Sequence, residues 1–339
     1  MRLTYDLLTV HTKHTFTIAR GGRSEFRVVI VTVTDEDGAT GIGEAAPSRF
    51  YGESAETVGA ALEQFRPIVE QAGAWALEDI EREMDALMRG NGAAKSAINC
   101  ALLDLQGKRL GAPLHRVLGL SAAKACASSF TIGIGSEEEL RQKVREAAGY
   151  PILKVKLGSD RDEEIIRVIR EEAPDKILRV DANAAWNAKH ALSMIEILIE
   201  HDVEFVEQPL PPSDIEGLRF VRERSPLPII ADESCVTTAD IPRMVGVVDG
   251  INIKLAKCGG PREALRMIHS ARTHNLLVMM GCMIETSVGI TAAAHLAPLL
   301  DYADLDGAAL LADDPYLGAS IDGGRISIPT APGLGVTHA

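Results

Sequence analysis

The chain has 339 residues, of which 46% are hydrophobic and 24% charged, and its formal net charge is −13. This length exceeds that of one small domain and suits a barrel with an accessory domain. The acidic balance, without a basic stripe, argues against nucleic acid as a partner. No apolar run is long enough to span a bilayer and no signal peptide opens the chain, which argues against a membrane partner. Five cysteines without a CxxC pair favour a reducing cytoplasm.

The N-terminal part of the chain predicts strands followed by helices. Antiparallel strands are indicated by a β-branched run at 26–34, an acidic turn with glycine and a second short strand-like run at 40–44. Residues 55–115 have helical periodicity, with a glycine stop at Gly111. We therefore expect an α+β unit over residues 1–120.

The remainder of the chain repeats a strand–helix pattern. Apolar strand cores alternate with amphipathic stretches, at 128–134, 152–158, 177–183, 203–209, 228–234, 250–256, 276–283 and 302–308. Eight such units predict an α/β fold, a closed (β/α)8 barrel over residues 121–310. Residues 311–339 are poor in periodicity, and we expect them to pack back on the N-terminal unit.

Charged residues end five consecutive strand cores, at intervals of 25, 26, 25 and 22 residues: Lys156, Asp181, Glu207, Asp232 and Lys254. Active-site groups of such barrels come from the carboxyl ends of the strands, so these side chains should meet at one rim. Three carboxylates without histidine or cysteine favour Mg²⁺, or Mn²⁺, over zinc. The sequence thus predicts one such cation per subunit.

The lysines on either side of the carboxylates suit proton transfer at carbon. Lys154 and Lys156 lie two apart on one strand face, and we expect each to lower the pKa of the other, which favours a base. Lys254 follows the sixth strand, across the barrel mouth. A carbon between Lys156 and Lys254 could lose a proton on one face and regain it on the other, while Lys154 and the cation stabilise an ene-diolate. Lys257 is interpreted as solvated or ion-paired.

Five motifs carry a family resemblance: KVK at 154–156, DAN at 181–183, VEQP at 206–209, ADES at 231–234 and NIKLAKCGG at 252–260. Together they resemble the muconate-lactonizing subgroup of the enolase superfamily, over essentially the whole chain. A lysine base with Mg²⁺ and an ene-diolate is the known pattern of that superfamily. The resemblance implies a capping domain at the N-terminus. It also implies that Asn183 and Glu233 support the metal ligands, although Glu233 could equally pair with a lysine.

Within that subgroup the chain is most similar to the dipeptide epimerases. The pair Asp304 and Asp306 at the eighth strand would hold the substrate's α-ammonium group. The stretches 18–25 and 50–54 resemble substrate-specificity loops, and by that likeness Arg23 would bind the γ-carboxylate of a glutamyl residue. Thr131 would help to hold the substrate carboxylate or peptide. The implied reaction is 1,1-proton transfer at the α-carbon of the C-terminal residue, converting L-Ala-L-Glu to L-Ala-D-Glu.

Other functions stay open at this point. An o-succinylbenzoate synthase or an N-acylamino acid racemase would share the lysines and carboxylates, but its substrate has no free ammonium group. A dipeptide epimerase with hydrophobic or cationic specificity is possible, as is an idle barrel that only binds a ligand. The expected partner is a small dipeptide, with a homo-oligomer possible.

Overall fold

The computed structural model describes residues 1–339. Three antiparallel strands open the chain: β1 (Arg2–Ile18), β2 (Gly21–Thr34) and β3 (Thr40–Ala45). The strands β1 and β2 pair as far as Ile18 and Gly21, after a register shift between His11 and Phe16. Residues 18–25, expected as a loop, are therefore the end of a long β-hairpin, because strand pairing continues almost to its tip.

Four helices complete the N-terminal unit, hereafter the cap: α1 (Ala55–Gln71), α2 (Leu77–Leu87), α3 (Gly92–Leu110) and α4 (Leu114–Val117). Helix α3 packs directly on β3. A Cβ atom at Gly41 would lie 1.9 Å from the carbonyl oxygen of Ala101, and one at Gly43 would lie 2.0 Å from that of Ala97. Only glycine permits this approach of a helix backbone to a strand.

Eight parallel strands form the barrel: β4 (Phe130–Ile132), β5 (Ile152–Lys156), β6 (Ile177–Asp181), β7 (Val203–Glu207), β8 (Ile229–Ala231), β9 (Gly250–Ile253), β10 (Leu277–Gly281) and β11 (Tyr302–Asp304). They pair in sequence order, and a parallel bridge between Ser128 and Ala303 joins the first strand to the last. The predicted (β/α)8-type barrel with an α+β cap is confirmed.

Eight helices follow the barrel strands: α5 (Glu137–Glu146), α6 (Asp162–Glu172), α7 (Ala188–Glu200), α8 (Ile215–Arg222), α9 (Ile241–Met244), α10 (Leu255–Cys258), α11 (Pro261–Thr273) and α12 (Ser287–Ala294). None of the helices in the chain is both long and apolar enough to cross a membrane.

The C-terminal tail contains four short strands: β12 (Tyr316–Leu317), β13 (Ser320–Asp322), β14 (Arg325–Ser327) and β15 (Thr337–His338). It contacts both units. In the cap, Asp104 accepts a hydrogen bond of 2.7 Å from the amide of Leu334. In the barrel, the amide of Ser128 donates to the carbonyl of Gly324 at 2.8 Å. A single hydrophobic cluster of 87 buried residues runs through cap, barrel and tail, so the cap is held at a defined position over the barrel.

Candidate active site

Three carboxylates meet at the carboxyl ends of neighbouring strands. Asp181 ends β6, Glu207 ends β7 and Asp232 directly follows β8, and Asp181 and Glu207 are register partners. All three are at most 1% exposed. One oxygen of each lies within 4.8 Å of the others. The strand-end spacing in the sequence therefore corresponds to a real cluster.

The donor set of this cluster fits a hard dication. All the donor atoms are carboxylate oxygens, and Oε2 of Glu207 is buried without an aligned hydrogen bond. Burial opposes ionisation, yet neighbouring lysines hold the pKa of Asp181 and of Asp232 below the usual value. The pKa of Glu207 is instead raised by burial and by the charge of Asp181. A cation bound here would relieve that repulsion.

Each lysine of the predicted trio pairs with a different member of the cluster. The Nζ atom of Lys156 lies 2.7 Å from Oδ2 of Asp181, and that of Lys254 lies 2.8 Å from Oδ2 of Asp232. Lys154 Nζ lies 2.7 Å from Oε2 of Glu207. Lys156 ends β5 and Lys254 follows β9, so the two lysines proposed for proton transfer flank the three strands that carry the carboxylates.

The expected lowering of the lysine pKa is wrong for Lys154. Burial does lower its pKa, but the carboxylates of Asp304, Glu207 and Asp181 outweigh burial and raise the pKa well above the usual value. The pKa of Lys254 is raised as well, since Asp232 outweighs burial and the repulsion of Lys154. The like charge of Lys156 is visible in the sequence, whereas the carboxylates of other strands, which lie 2.7–3.6 Å from Lys154 Nζ, are brought there by the fold.

Two residues in left-handed backbone conformation follow the carboxylates. Asn183 has φ 46° and Gln208 has φ 33°. The amide and side chain of Asn183 both donate to Asp181, at 2.8 and 3.1 Å. Gln208 Oε1 accepts from the amides of Asp232 and Ser234, at 2.9 and 3.1 Å. These hydrogen bonds support the expectation that Asn183 holds a metal ligand in place. Gln208 is an additional residue that orients the cluster.

Lys257 and Asn252 also belong to the site, although the sequence predicted a functional role for neither. Of the two interpretations of Lys257, the ion-paired one is confirmed and the solvated one is wrong, because its side chain is fully buried and its Nζ lies 2.6 Å from Oδ1 of Asp232. It also donates to the backbone carbonyls of Asp232, Cys235 and Asn252. The side chain of Asn252 donates to Oε1 of Glu207 at 2.7 Å. Lys257 lies in α10, three residues after Lys254, which directly precedes that helix, and this spacing was the available signal.

The predicted ammonium-binding residues lie together beside Lys154. Oδ2 of Asp304 is 2.8 Å from Lys154 Nζ, and Oδ1 accepts a hydrogen bond of 2.6 Å from Ser129. Thr131 donates its amide to Asp306 at 2.6 Å and contacts both aspartates with its hydroxyl. Despite burial, Lys154 lowers the pKa of Asp304 to about 2. Burial and Asp304 raise the pKa of Asp306 to about 7.

The hairpin brings Arg20 into contact with the rim of the barrel. Arg23 lies exposed on β2 without an ion pair, so its contact with substrate stays a prediction. Nη2 of Arg20 lies 3.0 Å from Oε1 of Glu233. Glu233 therefore pairs with an arginine of the cap, and the alternative of a lysine partner is wrong. Burial, Asp232 and Asp181 raise the pKa of Glu233 to about 7.

The geometry can be compared with known proteins. Residues 4–119 match the model of the mandelate racemase / muconate lactonizing enzyme N-terminal domain, and residues 137–339 match the enolase C-terminal domain-like model. The chain is 40% identical over 338 residues to the L-Ala-D/L-Glu epimerase of Bacteroides thetaiotaomicron, covering 99% of this chain and 88% of that one. It is 43% identical over 329 residues to the L-Ala-D/L-amino acid epimerase of Pedosphaera parvula, covering 94% and 93%.

A solved structure is similar to this chain over almost its whole length. It is a dipeptide epimerase from Enterococcus faecalis complexed with Mg and L-Leu-L-Tyr, with a TM-score of 0.95, 36% identity and coverage of 99% of each chain. Both halves of the chain match models of one family, and the relatives match along nearly their full lengths. The chain therefore belongs to the mandelate racemase / muconate lactonizing enzyme family of the enolase superfamily.

Proposed function

We propose that the protein is a Mg²⁺-dependent dipeptide epimerase, an isomerase acting at the α-carbon of the C-terminal residue. The observation that carries the proposal is the placement of Lys156 and Lys254, each paired with a different carboxylate of one buried cluster. Two bases on different sides of a carbon can exchange its proton with inversion, which a hydrolase or a simple binding protein does not need.

Asp181, Glu207 and Asp232 would hold the cation in this proposal. A bound Mg²⁺ supplies charge neutralisation for the carboxylate of the substrate as its ene-diolate form develops. The same oxygens now pair with the lysines, so cation and ammonium groups compete for them. One of Lys156 and Lys254 removes the α-proton, and the other delivers a proton to the opposite face. Lys154 places a further positive charge beside the cluster.

The proposed substrate carries a free α-ammonium group, which Asp304 and Asp306 would receive with Thr131 orienting both carboxylates. By the resemblance of residues 18–25 to a substrate-specificity loop, Arg23 would favour an acidic second residue, and we propose conversion of L-Ala-L-Glu to L-Ala-D-Glu. The relative in Bacteroides thetaiotaomicron bears the name L-Ala-D/L-Glu epimerase, whereas the structure from Enterococcus faecalis contains L-Leu-L-Tyr. A hydrophobic or cationic second residue is therefore an alternative within the same proposal. A cytoplasmic location and a homo-oligomer stay predictions.

The experiment is proton exchange in D₂O with Mg²⁺, monitored by NMR and by chiral separation of the products. L-Ala-L-Glu, L-Leu-L-Tyr and L-Ala-L-Lys are compared with N-acetyl-L-Glu and N-succinyl-L-Glu. We expect deuterium at the α-carbon of the second residue together with the L,D product. Exchange of the N-acyl amino acids alone would instead identify an N-acylamino acid racemase. A protein that exchanges none of these compounds would contradict the proposal.

A further inference from the structure

The tip of the cap hairpin rests on the ends of several barrel strands. The carbonyl of Thr17 accepts a hydrogen bond of 2.9 Å from the amide of Ile134, just after β4. A Cβ atom at Gly158, just after β5, would lie 2.7 Å from the Cβ atoms of Ala19 and Ala185. Two alternate residues of the hairpin, Thr17 and Ala19, thus contact the loops that follow β4 and β5.

Arg20 makes the last and most polar of these contacts. Its Nη1 donates to the carbonyl of Asn183 at 2.7 Å, and its Nη2 lies 3.0 Å from Oε1 of Glu233. Its guanidinium carbon lies 4.5 Å from the centre of the Phe50 ring, which belongs to a second segment of the cap. One side chain therefore joins two cap segments to the loops after β6 and β8.

Glu233 depends on this arginine. Its side chain is 1% exposed, and neither of its oxygens accepts an aligned hydrogen bond. Arg20 is the one cationic group within ion-pair distance of it. A buried carboxylate without a partner is costly, so Glu233 favours the position of the hairpin that supplies the guanidinium group.

The anchoring points lie next to the carboxylate cluster. Glu233 directly follows Asp232, and Asn183 donates two hydrogen bonds to Asp181. A displacement of Arg20 would free the groups beside two of the three carboxylates. The hairpin tip is thus connected to the rim directly beside the carboxylate cluster.

We propose that Arg20 is a positioning residue that fastens the hairpin tip across the active site, with Glu233 as its anchor. This role rests on the proposed function in one respect: the fastened hairpin covers a bound dipeptide and keeps solvent from it during proton transfer. Fastening itself is a property of the free protein and can be measured without turnover.

The first measurement is hydrogen exchange of the Ile134 amide by mass spectrometry or NMR, since its acceptor is the hairpin carbonyl of Thr17. The variants are Arg20→Met, Glu233→Gln and the double variant. The control is Arg27→Met, because Arg27 lies on the same hairpin but pairs with Glu56 inside the cap. We expect both single variants to accelerate exchange about tenfold or more, and the double variant to add nothing further.

This measurement can support or overturn the proposed role of Arg20. Unchanged exchange in Arg20→Met, or equal acceleration in Arg27→Met, would overturn the proposal. Fully multiplicative effects of the two single variants would also overturn it, since the two residues would then act separately. Arg20 lies on the surface at 37% side-chain exposure, so the variant should fold, and its thermal unfolding is measured alongside.

The second measurement is steady-state epimerisation with Arg20→Met and Arg20→Lys. We expect the KM of the dipeptide to rise about tenfold in Arg20→Met while kcat changes less than about threefold, with partial recovery in Arg20→Lys. An unchanged KM would contradict the positioning role. If the unmodified protein turns over no dipeptide, the proposed function fails, whereas the exchange of Ile134 still decides the role of Arg20.

Discussion

Lys257 Nζ lies 2.6 Å from Oδ1 of Asp232, while Lys254 occupies the other oxygen of the same carboxylate at 2.8 Å. The first contact is fully buried and is reinforced by backbone carbonyls, whereas the second involves a proposed proton carrier. Asp232 is therefore shared between two ammonium groups. Lys257 holds the carboxylate in place, whereas Lys254 is the proposed proton carrier.

Substitution of Lys257 by methionine should destabilise the protein. It removes one of the two ammonium groups that compensate the buried carboxylate of Asp232, and breaking a buried ion pair typically costs about 3–5 kcal/mol. Added Mg²⁺ should recover part of this loss, because the cation binds the folded state and replaces the missing charge. Urea denaturation with EDTA and with Mg²⁺ measures both effects. Lys189→Met is the control, since Lys189 is exposed and unpaired. A free energy of unfolding within about 0.5 kcal/mol of the unmodified protein would contradict the prediction.

Substitution of either proton carrier should separate the two halves of the reaction. We expect Lys156→Met and Lys254→Met each to lower epimerisation by about a thousandfold, because each removes one general acid or base. One variant should still exchange the α-proton of the L,L-dipeptide with D₂O, and the other that of the L,D-dipeptide. NMR of both diastereomers in D₂O measures this. Retention of full epimerisation by either variant would show that the reaction needs only one base.

Removal of divalent ions should abolish activity reversibly. The carboxylate cluster contains only oxygen donors, so Mg²⁺ or Mn²⁺ should restore turnover better than Zn²⁺. Asp181→Asn should weaken the apparent affinity for Mg²⁺ about tenfold or more, because one of three charges is lost. Titration of Mn²⁺ by electron paramagnetic resonance reads binding without turnover. Full activity after dialysis against EDTA would contradict a metal-dependent reaction.

Asp306→Asn tests the ammonium subsite. We expect the KM of a free dipeptide to rise about tenfold, since a charge-assisted contact becomes neutral. Any slow reaction of the N-acetylated dipeptide should stay unchanged. The comparison of the two substrates is the internal control, because a general disturbance of the site would affect both. Equal effects on both compounds would argue that Asp306 has a structural function only.

His295 should favour the unfolded chain in mild acid, whereas Glu233 and Asp306, whose pKa values are raised in the folded protein, should favour the folded state as the pH falls. The His295 side chain is buried against His115, accepts its backbone amide at 3.1 Å and contacts the carbonyl of Leu334 at 3.0 Å. Burial lowers the pKa of His295 from 6.5 to about 4. The His295 side chain of the unfolded protein therefore binds more protons between these values, and its contribution to stability falls as the pH decreases through that window.

The expected loss at the lower end of this window is about 3 kcal/mol, because each pKa unit corresponds to about 1.4 kcal/mol. Urea denaturation of the unmodified protein and of His295→Gln between about pH 7.5 and pH 4.5 measures it as the difference between their pH dependences, since glutamine does not titrate. A variant with the same pH dependence as the unmodified protein would show that other groups cause the loss.

The sequence was sufficient for the barrel and for the carboxylate cluster. Parallel strands present their carboxyl ends at one rim, so residues at equivalent strand ends must meet there whatever the details of packing. The regular spacing of Asp181, Glu207 and Asp232 in the sequence therefore predicts that their side chains lie close together. Lys156 and Lys254 also stand at strand ends, and in the structure each forms an ion pair with a carboxylate of the cluster.

Contacts between elements distant in the chain were decided only by the tertiary structure. Arg20 and Arg23 lie three residues apart on one hairpin, and only the docking of its tip distinguishes the residue that reaches Glu233. The pKa of Lys154 follows from carboxylates on three other strands, not from its neighbour Lys156. Strand periodicity specifies which rim a side chain reaches. Which charges then lie within a few ångströms depends on the packing of the cap and on neighbouring strands, and it is these distances that determine electrostatic energies.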